Sequence, residues 1–232
     1  MAAEPLVSMH GATAGVTTVT DGSGVRFRTA TAQDAAAAVP LIHSSGPAAF
    51  DYVFALPGRG DAQAFLRRAF VDGAGEFGWR NHMVGELEGV VVAVGAGFGG
   101  ETALKFTLAA ARQILAHYGL RHAAGVIARG LRVERVIPPP AHGMHYLAHL
   151  GVSPALRGQG IGRALIEELV RRGMQAGHRR MVLDVAASNP RAQALYERLG
   201  FAVTGERPSA LANAQGAVPD HRRMERMATE EA

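Results

Sequence analysis

The chain has 232 residues, 48% apolar and 19% charged, with 29 glycines and 11 prolines, so it is long enough for one large domain with its own core and rich in turns. It has no cysteine, which excludes disulfides, a thiolate nucleophile and a cysteine-built metal site. The net charge is +4 and Lys105 is the sole lysine among 24 basic residues; the plain reading is an arginine bias, the functional one an arginine-rich surface for phosphates.

No basic block or aromatic-interleaved basic strand marks a nucleic-acid module. The longest apolar run, near residues 90–98, is too short to span a bilayer. The start lacks a charged segment followed by an apolar one, so no signal peptide is expected and the cytoplasm is the default.

Residues 1–24 are small and polar without a sustained period and read as a flexible tail, with a domain over 25–232. Residues 25–29 alternate as a strand, and Thr31 with Asp34 fits a capping box opening a helix through Ala35, Ala38, Leu41 and Ile42. Gly46-Pro47 stops it. Two short helical pieces follow between Ala48 and Val71, the second from Asp61, then a loop over 73–78. Residues 83–87 and 90–94 flank Glu88-Gly89 as a hairpin that runs into a glycine-rich stretch, Gly95 to Gly100. Over 101–118, Leu104, Leu108, Ala111 and Leu115 form a helical stripe closed by Gly119, and a second helix is expected over 126–137, ended by three prolines.

A strand over 145–152 ends before Pro154, and a helix follows whose buried face is Ile161, Leu165, Ile166, Leu169, Val170 and Met174. Glu167 with Arg171 and Glu168 with Arg172 suit i,i+4 pairs on its other face. Residues 181–185 read as a strand, and Asn189-Pro190 starts another helix, with Asn as N-cap and Pro as first residue. Strands over 201–204 and near 221–227 complete the count.

Three alternating glycines, Gly158, Gly160 and Gly162, open the helix after the 145–152 strand. A glycine turn at a helix N-terminus is an anion site, because unpaired N–H groups and the positive helix end point at one spot. A dinucleotide fingerprint counted from Gly158 would need glycine or alanine where Arg163 stands, and a Walker loop would need Gly-Lys-Ser/Thr, which occurs nowhere. What remains is R-G-Q-G-I-G, followed about 30 residues later by S-N-P-x-A-x-x-L-Y-E-x-L-G-F.

That pair resembles the GNAT superfamily of acyl-CoA-dependent N-acyltransferases, densely over about 146–205, with VRFRTATAQDA similar to the family's first strand and helix. The resemblance implies an α/β fold: a twisted mixed sheet of about seven strands with helices on both faces. It implies acetyl-CoA as co-substrate, with Arg157, Gly158, Gln159, Gly160, Ile161, Gly162 and Arg163 wrapping the pyrophosphate. It further implies that Leu150, Gly151 and Val152 splay from the neighbouring strand and pair with pantetheine, with an N–H near Leu150 facing the thioester oxygen. Asn189 would contact pantetheine, and Tyr196 would give a proton to the departing thiolate.

The base is less defined. Asp184, in LDVAASN, is the first candidate, expected to deprotonate the amine directly or through water: it matches a position where some family members carry an acidic residue in this role, and a structural or substrate-orienting carboxylate is the equal alternative. Where other members place a glutamate before the loop, this chain has Tyr146, and His145 and His149 are the other nearby options. With His142 they invite a metal reading, but 145 and 149 lie ~13 Å apart on a strand, too far for one ion, so no metal is expected. The family's third and fourth strands are joined by a short turn, whereas about 45 residues, 99–143, intervene here and, with 47–78, shape the acceptor pocket or an oligomer contact. The expected partner is a small-molecule or peptide amine, attacked directly in a ternary complex, with no nucleic acid or membrane and a homodimer left open. The rivals are a non-catalytic acyl-CoA sensor and a transferase of longer acyl groups.

Overall fold

The structure is a computed structural model that describes residues 19–20 and 24–227; most of the 1–24 tail lies outside the described residues. Eight strands form one mixed sheet in the order β1 (Val19–Thr20), β2 (Arg26–Thr29), β3 (His82–Leu87), β4 (Val90–Gly99), β5 (Met144–Val152), β6 (Arg180–Ala186), β10 (His221–Met227) and β7 (Ala202–Arg207). Seven of these lie in the segments expected as strands. The two-residue β1 pairs with β2 through Val19 opposite Phe27. A small hairpin, β8 (Ala212–Asn213) with β9 (Gly216–Ala217), stands apart from the sheet.

All sheet neighbours are antiparallel except β5 and β6. One face is covered by α1 (Ala35–Ser45), α2 (Pro47–Phe54), α3 (Ala62–Asp72), α4 (Ala103–Tyr118) and α5 (Leu120–Val133), around a core that includes Ile42, Phe65, Phe70 and Val94. The other carries α6 (Ile161–Gln175) and α7 (Pro190–Arg198), with Ile161, Leu165, Ile166 and Leu169 against Phe27, Leu147 and Leu183. Among the described residues no helix is long and apolar enough to cross a membrane.

Local chemistry explains most boundaries. Thr31 and Asp34 form both halves of the capping box, around a 3₁₀ turn that leads into α1. Asp61 caps α3 by accepting from the Ala64 N–H at 2.9 Å, and Asn189 caps α7 by accepting from Ala192 at 3.1 Å. On α6, Glu168 takes Arg172 and also Arg171, while Glu167 pairs with Arg163 instead of Arg171. Glu168 is the nearly buried member and recruits both arginines.

Three expectations shift. β4 continues through the glycine stretch to Gly99, because glycine is what the packing there requires: a Cβ at Gly95 would lie 2.8 Å from Leu169 Cδ1, and one at Gly97 2.7 Å from His145 Nε2. Helix α5 starts six residues before the expected 126 and ends at Val133. The stripe on α4 faces outward: Leu104, Leu108 and Leu115 are exposed, whereas Gln113, Ile114 and Tyr118 are buried. Polar anchors decide this. Gln113 donates to Asp72 and to the Ala74 carbonyl, and the Tyr118 hydroxyl donates at 2.6 Å to the Phe54 carbonyl at the end of α2, a group no helix bond satisfies.

Arg28 ties the start of the domain together, donating to Asp34 and Glu86 across β2 and β3. Its guanidinium holds both carboxyls below their usual range, against burial. A carboxyl whose folded pKa is depressed contributes stability above its unfolded value, ~4, and loses it as the pH falls through the folded one. Arg28→Met should therefore move the midpoint of acid unfolding, followed by far-UV circular dichroism, to higher pH; an unmoved midpoint would show that the network adds nothing.

Candidate active site

Strands β5 and β6 pair only through Met144, His145 and Tyr146 with Arg180, Met181 and Val182. Beyond that rung they part, and the gap opens a cleft of about 550 Å³. Three neighbouring features shape it.

The first is the turn at the head of α6. Gly158 (φ 85°) and Gly160 (φ 87°) take left-handed backbone that favours glycine. The first α6 bond runs from Ala164 N–H to the Gly160 carbonyl, so the N–H groups ahead of it have no partner within the helix. Arg157, Arg163, Arg191 and Arg198 line the same cleft. Donors, a helix N-terminus and four guanidinium-bearing residues together suit a polyanion such as a pyrophosphate.

The second is an irregularity in β5. Its register with β4 jumps from Ala96 opposite Ala148 to Val94 opposite Gly151, leaving His149 and Leu150 out of the ladder as a bulge. His149 has φ 56°, unusual for a residue with a side chain. Strict alternation would put positions 145 and 149 on one face. The bulge separates them: His145 packs on α6 at Gly173, and His149 stacks with Phe77 and His82 on the opposite face. Leu150, Gly151 and Val152 line the cleft, and α1 lies so close that a Cβ on Gly151 would sit 2.4 Å from the Leu41 carbonyl oxygen.

The third is a clamp at the fork. The Asp184 carboxylate accepts from Arg223 at 2.7 Å and from the Tyr146 hydroxyl at 2.8 Å, with its side chain only 1% exposed. Arg223 also donates to the Pro138 carbonyl. Burial works against the Arg223 charge, and Asp184 more than offsets it, so its pKa is raised. Burial, then the Asp184 charge, pushes the Tyr146 phenol well above its ordinary value.

Of the residues expected at the site, Leu150, Gly151, Val152, Arg157, Gly158, Gly160, Gly162, Arg163, Asp184, Asn189 and Tyr196 all line this one cleft. Ile161 is packed into the α6 core and Gln159 is exposed beside the turn. Tyr196 is nearly buried, and burial pushes its phenol up to about 12, so it stays protonated at neutral pH. Ser44, Ser45, Arg191, Arg198 and His221 also line the cleft and were not anticipated. Arg191 and Arg198 had a signal, since they flank the expected helix residues 192, 195 and 199; the others are brought in by tertiary packing alone.

An anion-binding turn beside a fork between parallel strands suits a ligand that is polyanionic at one end and extended at the other. Residues 63–201 match the sequence profile of the Acetyltransferase (GNAT) family, more than half of the chain, and the chain belongs to that family. It is 42% identical over 60 residues to a 5-NmdU N-acetyltransferase of Pseudomonas phage PaMx11, covering 26% of this chain and 41% of the relative. It is 46% identical over 55 residues to the ribosomal protein bS18-alanine N-acetyltransferase of Escherichia coli K12, covering 24% and 37%. The chain thus spans less than half the length of these relatives. An N-acetyltransferase structure from Staphylococcus aureus Mu50 shares the fold, with a TM-score of 0.62 at 17% identity over 86% of this chain and 98% of that one.

Among the described residues no group of three or more His, Asp or Glu side chains could hold a metal ion. The Asp184–Arg223 pair carries a stability prediction. Arg223→Leu leaves a buried carboxylate without its cation and should cost about 3–5 kcal/mol in urea unfolding. The double variant Asp184→Leu with Arg223→Leu should recover most of that loss; a double variant as unstable as the single one would refute the pair as the cause.

Proposed function

We propose that this protein moves acetyl from acetyl-CoA to a primary amine of a small molecule or peptide, by direct attack in a ternary complex. The observation that carries the reading is the parting of β5 from β6 after Tyr146, with the glycine turn of α6 at the mouth of the gap. An extended pantetheine arm fits between strands that have lost their own pairing, and the pyrophosphate fits the free N–H groups over 157–163. With no cysteine in the chain, no acyl-thioenzyme is available.

Bound acetyl-CoA supplies an activated thioester; the residues of the chain do the rest. The backbone of Leu150, Gly151 and Val152 aligns the arm, with a main-chain N–H near Leu150 toward the thioester oxygen. Asn189 spends its side-chain oxygen on the α7 cap and borders the arm. Tyr196, held protonated by burial, donates its hydroxyl proton to the departing sulfur. Of the two roles open to Asp184, we assign the orienting one: its oxygens already accept from Arg223 and Tyr146.

The reading is tested by following free thiol release from acetyl-, succinyl- and longer acyl-CoA against a panel of amines, polyamines, amino acids and peptides. Acetyl-CoA should be the preferred donor. Tyr196→Phe should lower kcat by about 100-fold with little change in the KM for acetyl-CoA. Unchanged turnover would remove Tyr196 as the acid, and acyl-CoA binding without thiol release anywhere in the panel would favour a sensor.

A further inference from the structure

With Asp184 engaged, the proton of the attacking amine needs another acceptor, and hydrogen bonding on the face of the sheet covered by α1 to α5 singles one out. His82 is buried, and its Nδ1 lies 2.9 Å from the Gly78 carbonyl. A carbonyl only accepts, so Nδ1 carries the hydrogen and Nε2 of the neutral ring is bare. Burial, reinforced by His149, pushes the His82 pKa down to about 3, which keeps that ring neutral. Its bare Nε2 lies 3.0 Å from His149 Nδ1, so His149 must donate from Nδ1. The acceptor nitrogen of the neutral His149 ring is therefore Nε2, which lies 3.5 Å from Glu76 Oε1.

We propose that His149 Nε2 is the general base of the acetyl transfer, with His82 and the Gly78 carbonyl as the positioning groups that fix its tautomer. This rests on the acetyltransferase reading above. Three observations place the ring for the task. His149 immediately precedes Leu150 and Gly151, which line the cleft. The β5 bulge and the positive φ turn its ring onto the face opposite Leu150, between Phe50 and Phe77. Backbone strain at a fork in the sheet is the kind retained where a side chain must be aimed. The bare imidazole nitrogen and the Glu76 carboxylate are two acceptors side by side, an arrangement an alkylammonium satisfies with two N–H bonds.

In the proposed step an N–H bond of the bound ammonium breaks, its electron pair stays on nitrogen, and the proton bonds to His149 Nε2. The products are a neutral amine and an imidazolium that Glu76 stabilises. Over the whole cycle an alkylammonium and acetyl-CoA give the acetamide, CoA thiol and one proton, which the imidazolium returns to solvent. The charged or titratable groups around the ring are His82 from β3 and Glu76 from the loop after α3. Behind these lie Glu134, whose pKa is raised by burial and by Glu76, the Tyr146–Asp184–Arg223 clamp, and the His43–Asp51 pair beyond Phe50.

Two measurements test this on the full-length protein. In the ¹⁵N-labelled chain, long-range proton–nitrogen correlations of the imidazoles should show neutral His149 protonated at Nδ1 with Nε2 bare. The signal is assigned by its loss in His149→Asn, and the Nδ1 preference should disappear in His82→Leu. An Nε2–H tautomer in the unsubstituted protein would overturn the proposal without reference to any substrate. Kinetically, His149→Asn suits the left-handed backbone and should lower kcat at least about 100-fold. It should also flatten the acid side of the kcat–pH profile, with acetyl-CoA affinity and far-UV circular dichroism retained. A profile of unchanged shape and height would overturn the proposal. Failure of the unsubstituted protein to release thiol with any acceptor would instead overturn the acetyltransferase reading, and the tautomer result would stand.

Discussion

Tyr146, Asp184 and Arg223 tie three adjacent strands together at the point where two of them separate. Tyr146 and Val182 are the last paired rung between β5 and β6. Two residues on, Asp184 is opposite Arg223 of β10 in the antiparallel register, and its carboxylate reaches back to the Tyr146 hydroxyl. Below this clamp the sheet is continuous; above it β5 and β6 no longer satisfy each other. A parting of strands inside a sheet leaves backbone groups that need partners. The clamp confines that cost to a few residues beside a cleft, where an extended ligand can supply the missing bonds.

The clamp depends in turn on how the C-terminal strand is threaded. β10 inserts between β6 and β7, so Arg223 arrives beside β6 from the far end of the chain. Its guanidinium also reaches the Pro138 carbonyl in the segment after α5. One side chain thus couples the fork of the sheet to the long connection between β4 and β5. That connection is anchored a second time by a close approach: a Cβ on Gly100 would lie 2.1 Å from the Ala141 carbonyl oxygen. The two ends of the inserted segment are therefore pinned, while α4 and α5 between them pack on α2 and α3 through Tyr118, Gln113 and Val126.

What the sequence made legible follows from how local each determinant is. The capping box at Thr31, the Asn189-Pro190 start and the glycine turn over 158–162 are signals contained in a few residues, and each stands where it was expected. So do the seven main strands, and most of the residues expected to hold a cofactor line one cleft. The rest was set by tertiary contacts that no short window contains. Gly95 and Gly97 read as a glycine-rich stretch beyond a strand ending at 94, yet they are strand residues that admit α6 against the sheet. The leucine stripe on α4 read as the helix's apolar face, yet three hydrogen bonds from Gln113 and Tyr118 fix the opposite side inward. Asp184 read as a candidate base because its partner, Arg223, is 39 residues away.

The histidines show the same division at the level of mechanism. From the alternation of a regular strand, His145 and His149 are equivalent neighbours on one face. A single bulge makes them different in kind. His145 is buried against Gly173 with neither ring nitrogen paired, and burial pushes its pKa down to about 4, so it sits in the α6 core as a neutral ring. His149 is carried to the other face, where a carbonyl two bonds removed dictates which nitrogen holds the proton. The same dislocation takes Leu150 out of the β4 ladder, next to the fork. One inserted residue in β5 therefore accounts both for a main-chain segment that leaves the β4 ladder beside the cleft and for a ring nitrogen set 3.5 Å from the Glu76 carboxylate. On the proposed reading, both halves of the acyl transfer depend on that one backbone irregularity, a reason for it to persist despite its strained φ.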